Sequence, residues 1–135
     1  MNISTHISFE EATKSPTALR LGIKNEPDER QLAAMRLVAE RCFEPLRQWY
    51  MHPIKVNSFF RCEALNRAVG GALASQHVKG EAIDMDAGSK TENKRIFEWC
   101  KENLIFDQLI NEYDFSWVHI SYKADGNRKQ IVIVT

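Results

Sequence analysis

The stretch SQHVKGEAIDMD, residues 75–86, sets His77 and Asp84 seven positions apart with Gly80 between them. In EAIDMDA (81–87), Ala82, Asp84 and Asp86 alternate with Ile83 and Met85, which predicts a strand with one polar face. His77 then falls on the loop that feeds the strand, and Gly80 lets that loop turn without a Cβ in the way. A second stretch, WVHIS (117–121), reads as another strand, with Trp117, His119 and Ser121 on one side. Two histidines and a carboxylate, with a coordination position left open, form the donor set of a catalytic zinc. A lone His or Asp near a strand is usually just a hydrogen-bonded residue. The spacing by itself therefore says little, and the pairing of the two strings carries the reading.

Outward from this pair, the chain sets few other demands. Its 135 residues suit one domain, 1–135, with a modest core. Apolar residues make up 44% and charged residues 27%, ordinary values for a globular protein. The formal net charge is zero, from 18 basic and 18 acidic side chains, so bulk charge gives no support for a nucleic-acid partner. No apolar run approaches a membrane span. The N-terminal MNISTHISFEEATKSP has no apolar h-region, so synthesis in the cytoplasm without a secretory signal is expected. Cys42, Cys62 and Cys100 are odd in number and widely spaced, which predicts reduced, mostly buried thiols.

Local signals predict α+β architecture, helices first and then a mostly antiparallel sheet. Ser8 with Glu11 has capping-box spacing, and Pro16 and Gly22 mark the start and stop of a second short helix. Asp28 and Gln31 open the longest early helix, about 28–49, with a kink expected at Pro45. Leu32, Met35, Ala39, Cys42, Leu46 and Trp49 recur at steps of three and four and are expected to face the core. The stripe is too short for a convincing coiled coil, and a monomer is expected. Residues 54–60 read as a strand and 61–69 as a short helix. Ser89 and Glu92 predict a capped helix to about 103, with Ile96, Phe97 and Trp99 or Cys100 inward. FDQLINE, WVHISY and KQIVIV read as three strands, with Asp125-Gly126 signalling a hairpin between the last two.

SQHVKGEAID…WVH resembles the signature SxHxxGxAxD…WxH of the zinc D-Ala-D-Ala carboxypeptidase and L-alanyl-D-glutamate peptidase superfamily, whose fold is shared with the hedgehog signalling domain. The small phage and bacterial, endolysin-like branch is more similar still. SPTALRLGIKNEP, FEPLRQ, NSFFRCEALNRAVGGALASQH and FDQLINEY each resemble a segment of that branch, so the likeness covers nearly the whole chain. It implies a hedgehog/DD-peptidase-like fold, Zn2+ held by His77, Asp84 and His119, and hydrolysis of peptidoglycan stem or cross-link peptides. The wall would then be reached after lysis, through a holin, or as part of a virion.

Such hydrolysis needs a carboxylate to move protons. Several branches place it three residues before the last ligand, where this chain has Ser116. Glu112, at the end of a strand, matches the glutamate of the phage branch and is the expected base. Asp114 is the second choice, and Asp107 is expected to be a surface or capping residue. Arg61 matches an active-site arginine of the superfamily and is expected to hold an oxyanion or a substrate carboxylate. A salt bridge to Glu63 or Asp86 is the alternative. Ser75 and Gln76 flank the first ligand and are expected to bind substrate or to orient His77. Phe59-Phe60 replaces the family's Gly-Tyr and is expected to narrow the pocket. His6 and His52 have no companions, and Asp86 is either an acceptor for a ligand histidine or a strand-end charge. The rival reading, favoured by Ser116, is a zinc-stabilised binding domain of the same fold without catalysis.

Overall fold

The computed structural model describes residues 1–135. A two-strand ribbon, β1 (Asn2–Ser4) and β2 (Ile7–Ser8), opens the chain and was not apparent in the sequence. It leads into α1 (Phe9–Thr13) through the Ser8–Glu11 capping box, and α2 (Pro16–Leu21) runs from its N1 proline to Gly22 in the left-handed conformation. The long early helix forms in three pieces: α3 (Glu29–Val38), a π-helical stretch Ala39–Phe43, and α4 (Glu44–Tyr50).

The expected kink at Pro45 is thus a wide turn just ahead of it. The Glu44 N–H reaches back to the Ala39 carbonyl, which adds a residue to that turn. The inserted residue rotates the remainder of the helix. Phe43, Leu46 and Tyr50 become the buried stripe, and Trp49, expected inward, is 40% exposed.

A five-stranded sheet carries the rest: β3 (Lys55–Ser58), β4 (Ala82–Asp86), β5 (Gln108–Glu112), β6 (Trp117–Ser121) and β7 (Gln130–Val134), in the order β3-β4-β6-β5-β7. Three of its ladders are antiparallel, and β5–β7 is parallel. The short α5 (Glu63–Ala68) and a long loop precede β4, and α6 (Lys90–Asn103) packs against β5 and β6. Ile83, Met85, Leu109, Val118 and Ile120 turn to the core with Met35, Val38, Ile96 and Phe106. The alternate residues Asp84, Ile110, Glu112 and His119 therefore lie on the opposite face. The fold is α+β, as expected.

The hairpin predicted at Asp125-Gly126 does not form. The chain turns there, but residues 122–129 carry it past β5, and β7 joins the free edge of that strand. The cause lies in Asp107, expected at the surface but fully buried. Its carboxylate accepts from the Arg128 backbone N–H (3.1 Å), Nε (2.9 Å) and Nη2 (2.8 Å), while its carbonyl accepts from Gln130 N (2.9 Å). A buried carboxylate must be paired, and this pairing draws the last strand across. The Arg128 hydrogen bonds also hold the carboxyl well below the usual carboxylate range.

The helix α6 also differs in detail. Ser89 accepts from Glu92 N (3.1 Å), but Glu92 does not return the bond. Its carboxylate takes the Tyr50 hydroxyl (2.6 Å) and Arg95 (2.9 Å) instead. Cys42 and Cys100 are buried, Cys62 is half-buried, and all three are free thiols. No helix is long and apolar enough to cross a membrane.

Candidate metal centre

Register brings the first two candidates together. Asp84 and His119 are direct partners in the β4–β6 ladder, and Asp84 Oδ1 lies 3.0 Å from His119 Nδ1. His77 arrives on the loop before β4, its Nε2 lying 3.2 Å from Asp84 Oδ2. One ligand atom from each residue can be chosen so that all three lie within 4.8 Å of one another.

The loop is built to hold His77. Its Nδ1 is 2.7 Å from the Phe59 carbonyl, so Nδ1 carries the hydrogen and Nε2 is free to act as a ligand. Its backbone carbonyl accepts from Arg61 N (3.2 Å) and Gly80 N (3.2 Å), and its N–H donates to Ser75 Oγ (3.2 Å). Gln31 caps α3 through its Oε1 and donates Nε2 to the Val78 carbonyl (3.0 Å), which docks the loop on that helix. Gly80 is required twice over. Its φ is 76°, and a Cβ would stand 2.6 Å from the Gln31 carbonyl oxygen.

Burial would raise the Asp84 carboxyl, but His77 and His119 outweigh it and hold the group well below the usual carboxylate range. An ionised carboxylate between two imidazoles, one fixed in tautomer by a backbone carbonyl, fits zinc. His119 Nε2 is buried without a partner, which leaves Nδ1 as the atom facing Asp84.

The trio opens onto a cleft of about 680 Å³ that is also lined by Arg61, Ser75, Gln76 and Glu112. Burial and the nearby Asp84 charge push the Glu112 carboxyl up from its ordinary value. Asp114 is on the outside, its side chain 82% exposed and 3.3 Å from Lys90 Nζ. Ser116 donates its hydroxyl to the Tyr113 carbonyl (2.6 Å). Of the candidate carboxylates, then, Glu112 faces the trio, Asp114 faces solvent, and Asp107 is consumed by Arg128.

Arg61 pairs with neither Glu63 nor Asp86. Its Nη2 donates to Ser75 Oγ (3.3 Å), and its Nε is buried without an acceptor. Burial lowers its pKa while the Asp84 charge raises it. Asn25 fixes the backbone on both sides of it, donating Nδ2 to the Phe60 carbonyl (2.9 Å) and accepting from Cys62 N (2.8 Å). Gln76 donates Nε2 to Asp107 Oδ2 (2.7 Å), tying the His77 loop to the β7 crossing.

Phe59 and Phe60 do not narrow the cleft. Both follow the end of β3 and are buried in the core, and neither lines the cleft. Asp86 serves the strand end, accepting from Gly88 N (2.8 Å) and Asn93 Nδ2 (3.1 Å). His6 is 2.6 Å from Glu44, and His52 stacks edge-on against Tyr50.

Two features of the cleft had no sequence signal. Tyr113 and Trp117 form an aromatic pair, centroids 5.3 Å apart, on its wall. The turn between β5 and β6 is left-handed, with Tyr113, Asp114 and Phe115 at φ 50°, 55° and 58°. For non-glycine residues that conformation costs roughly 1–2 kcal/mol each.

An α+β fold that brings two histidines and an aspartate together beside an open cleft forms a site that could hold a metal ion. The peptidase M15 family profile matches residues 5–121, and the chain belongs to that family of metallopeptidases. No curated protein matches the chain.

Proposed function

We propose that the chain is a zinc-dependent peptidase that hydrolyses peptidoglycan stem or cross-link peptides, as a carboxypeptidase or an endopeptidase. The observation that carries the reading is that Glu112 and Arg61 share one open cleft with His77, Asp84 and His119. Structural zinc sites are closed by four protein ligands, whereas this centre offers three beside open space. Zinc bound there supplies polarisation of the scissile carbonyl and acidification of a water.

The chain's own residues supply the rest. Glu112 takes the proton of the attacking water and passes it to the leaving amine, a task suited to a carboxyl whose affinity for protons is raised. Arg61, steadied by Ser75, holds the oxyanion or a substrate carboxylate with the donors it leaves unused. Ser75 and Gln76 border the cleft beside the first ligand and complete the substrate wall. The peptidoglycan assignment rests on the likeness of SQHVKGEAID…WVH to the carboxypeptidase and L-alanyl-D-glutamate peptidase signature. With it come a phage or prophage setting and access to the wall at lysis, through a holin or from a virion. A single domain over 1–135 rests on chain length, and a monomer on the shortness of the early helix stripe.

The test is to incubate the zinc-loaded protein with purified wall material and measure released amines. New amino termini or free amino acids are expected, and they should vanish on chelation. No release from any wall preparation, with zinc bound, would favour the non-catalytic binding domain instead.

A further inference from the structure

Asn93 is 1% exposed, although an asparagine is costly to bury. Its side chain is saturated. Oδ1 accepts from Ala87 N (2.6 Å), just beyond the strand that carries Asp84. Nδ2 shares its two hydrogens among Phe115 O (2.9 Å), Ser116 O (3.2 Å) and Asp86 Oδ1 (3.1 Å). The amide orientation is fixed, since one end meets an N–H and the other meets three oxygens. Asn93 thus bolts the end of β4 to the left-handed turn that joins Glu112 to β6. Asn111 grips the turn from its other side, its Oδ1 accepting from Phe115 N (2.6 Å).

Three successive non-glycine residues do not stay left-handed without such restraint. Released, the turn would relax toward negative φ and swing the end of β5, and Glu112 with it, relative to Asp84. We infer that Asn93 is a positioning residue, which fixes Glu112 against the metal-binding strand by holding the 113–116 turn in its strained form. This rests on the proposal that Glu112 is the proton carrier.

The experiment compares the parent, Asn93→Ala and Asn93→Ala with Asp114→Gly, all zinc-loaded. Asp114 is left-handed, and glycine adopts that conformation freely. The single variant should keep its zinc and its KM while kcat falls roughly 10-fold to 100-fold. The added glycine should restore most of kcat. Amide exchange at Phe115 and Ser116 should quicken in the single variant and slow again in the double. An unchanged kcat despite faster exchange overturns the inference. So does a kcat loss that stabilising osmolyte repairs and Asp114→Gly does not. If Asn93→Ala does not fold, Asn93→Asp replaces it, which keeps the acceptor for Ala87 N and removes the donors to the turn carbonyls, with the same expectations and the same overturning results. A parent that cleaves no peptide overturns the peptidase reading and the catalytic consequence together. The exchange rates still decide whether Asn93 holds the turn.

Discussion

Asp84 and His119 face each other across the β4–β6 ladder, 3.0 Å apart, and the other oxygen of Asp84 reaches His77 at 3.2 Å. One carboxylate therefore lies within reach of both histidines. His119→Ala should abolish stoichiometric zinc binding. Metal analysis after dialysis decides it, and a variant that retains zinc as tightly as the parent removes His119 from the ligand set.

Zinc should also stabilise the fold, because it binds the folded centre and has no matching site in the unfolded chain. At a free concentration 100 times its Kd the gain is about 2.7 kcal/mol. Thermal melts with and without chelator test this; equal melting temperatures would leave the site weak or absent.

Glu112→Gln should retain fold and zinc yet lose roughly two or more orders of magnitude in turnover, since an amide cannot take up the water's proton. Asp114→Asn should be nearly silent, because that carboxylate points to solvent beside Lys90. A dead Asp114→Asn beside an active Glu112→Gln would transfer the role.

Gly80→Ala should destabilise by about 1–3 kcal/mol from overpacking, with the positive φ adding to the loss. The new Cβ would press on the Gln31 carbonyl and Met35. Because the same loop carries His77, zinc affinity should fall in parallel. A loss of stability at constant affinity would separate the loop's packing from its ligand.

Asp107→Asn should be destabilising at neutral pH by about 1–3 kcal/mol, the usual effect of breaking a buried hydrogen-bonded group. Folding lowers the Asp107 carboxyl below its unfolded value, so its contribution is complete above that value and fades as pH falls through the folded one. The gap between parent and variant should accordingly be widest near neutrality and close as pH drops below about 4. Urea titrations across that range would show it, and a gap that widens in acid would contradict the assignment.

Much of the architecture was legible because it depends on neighbours in sequence. Caps at Ser8 and Asp28, the start of α2 at Pro16 and the alternation around Asp84 are short-range effects, and the structure keeps them. The expectation for Trp49 failed because a π-helical turn breaks the 3.6-residue period on which it relied. The last hairpin failed because Asp107 and Arg128, far apart in sequence, outcompete a local turn signal.

The sequence by itself determined the chemistry on offer: two histidines, an aspartate and a glycine turn, with Glu112 and Arg61 named through likeness to a family. What only the tertiary structure decided is which groups meet. Strand register sets Asp84 against His119, the Gln31 and Phe59 contacts aim His77, and the Asn93 bracket fixes the turn beside Glu112. These are distances between residues remote along the chain. Closing such contacts depends on packing and buried hydrogen bonds across the whole fold, which no local pattern encodes.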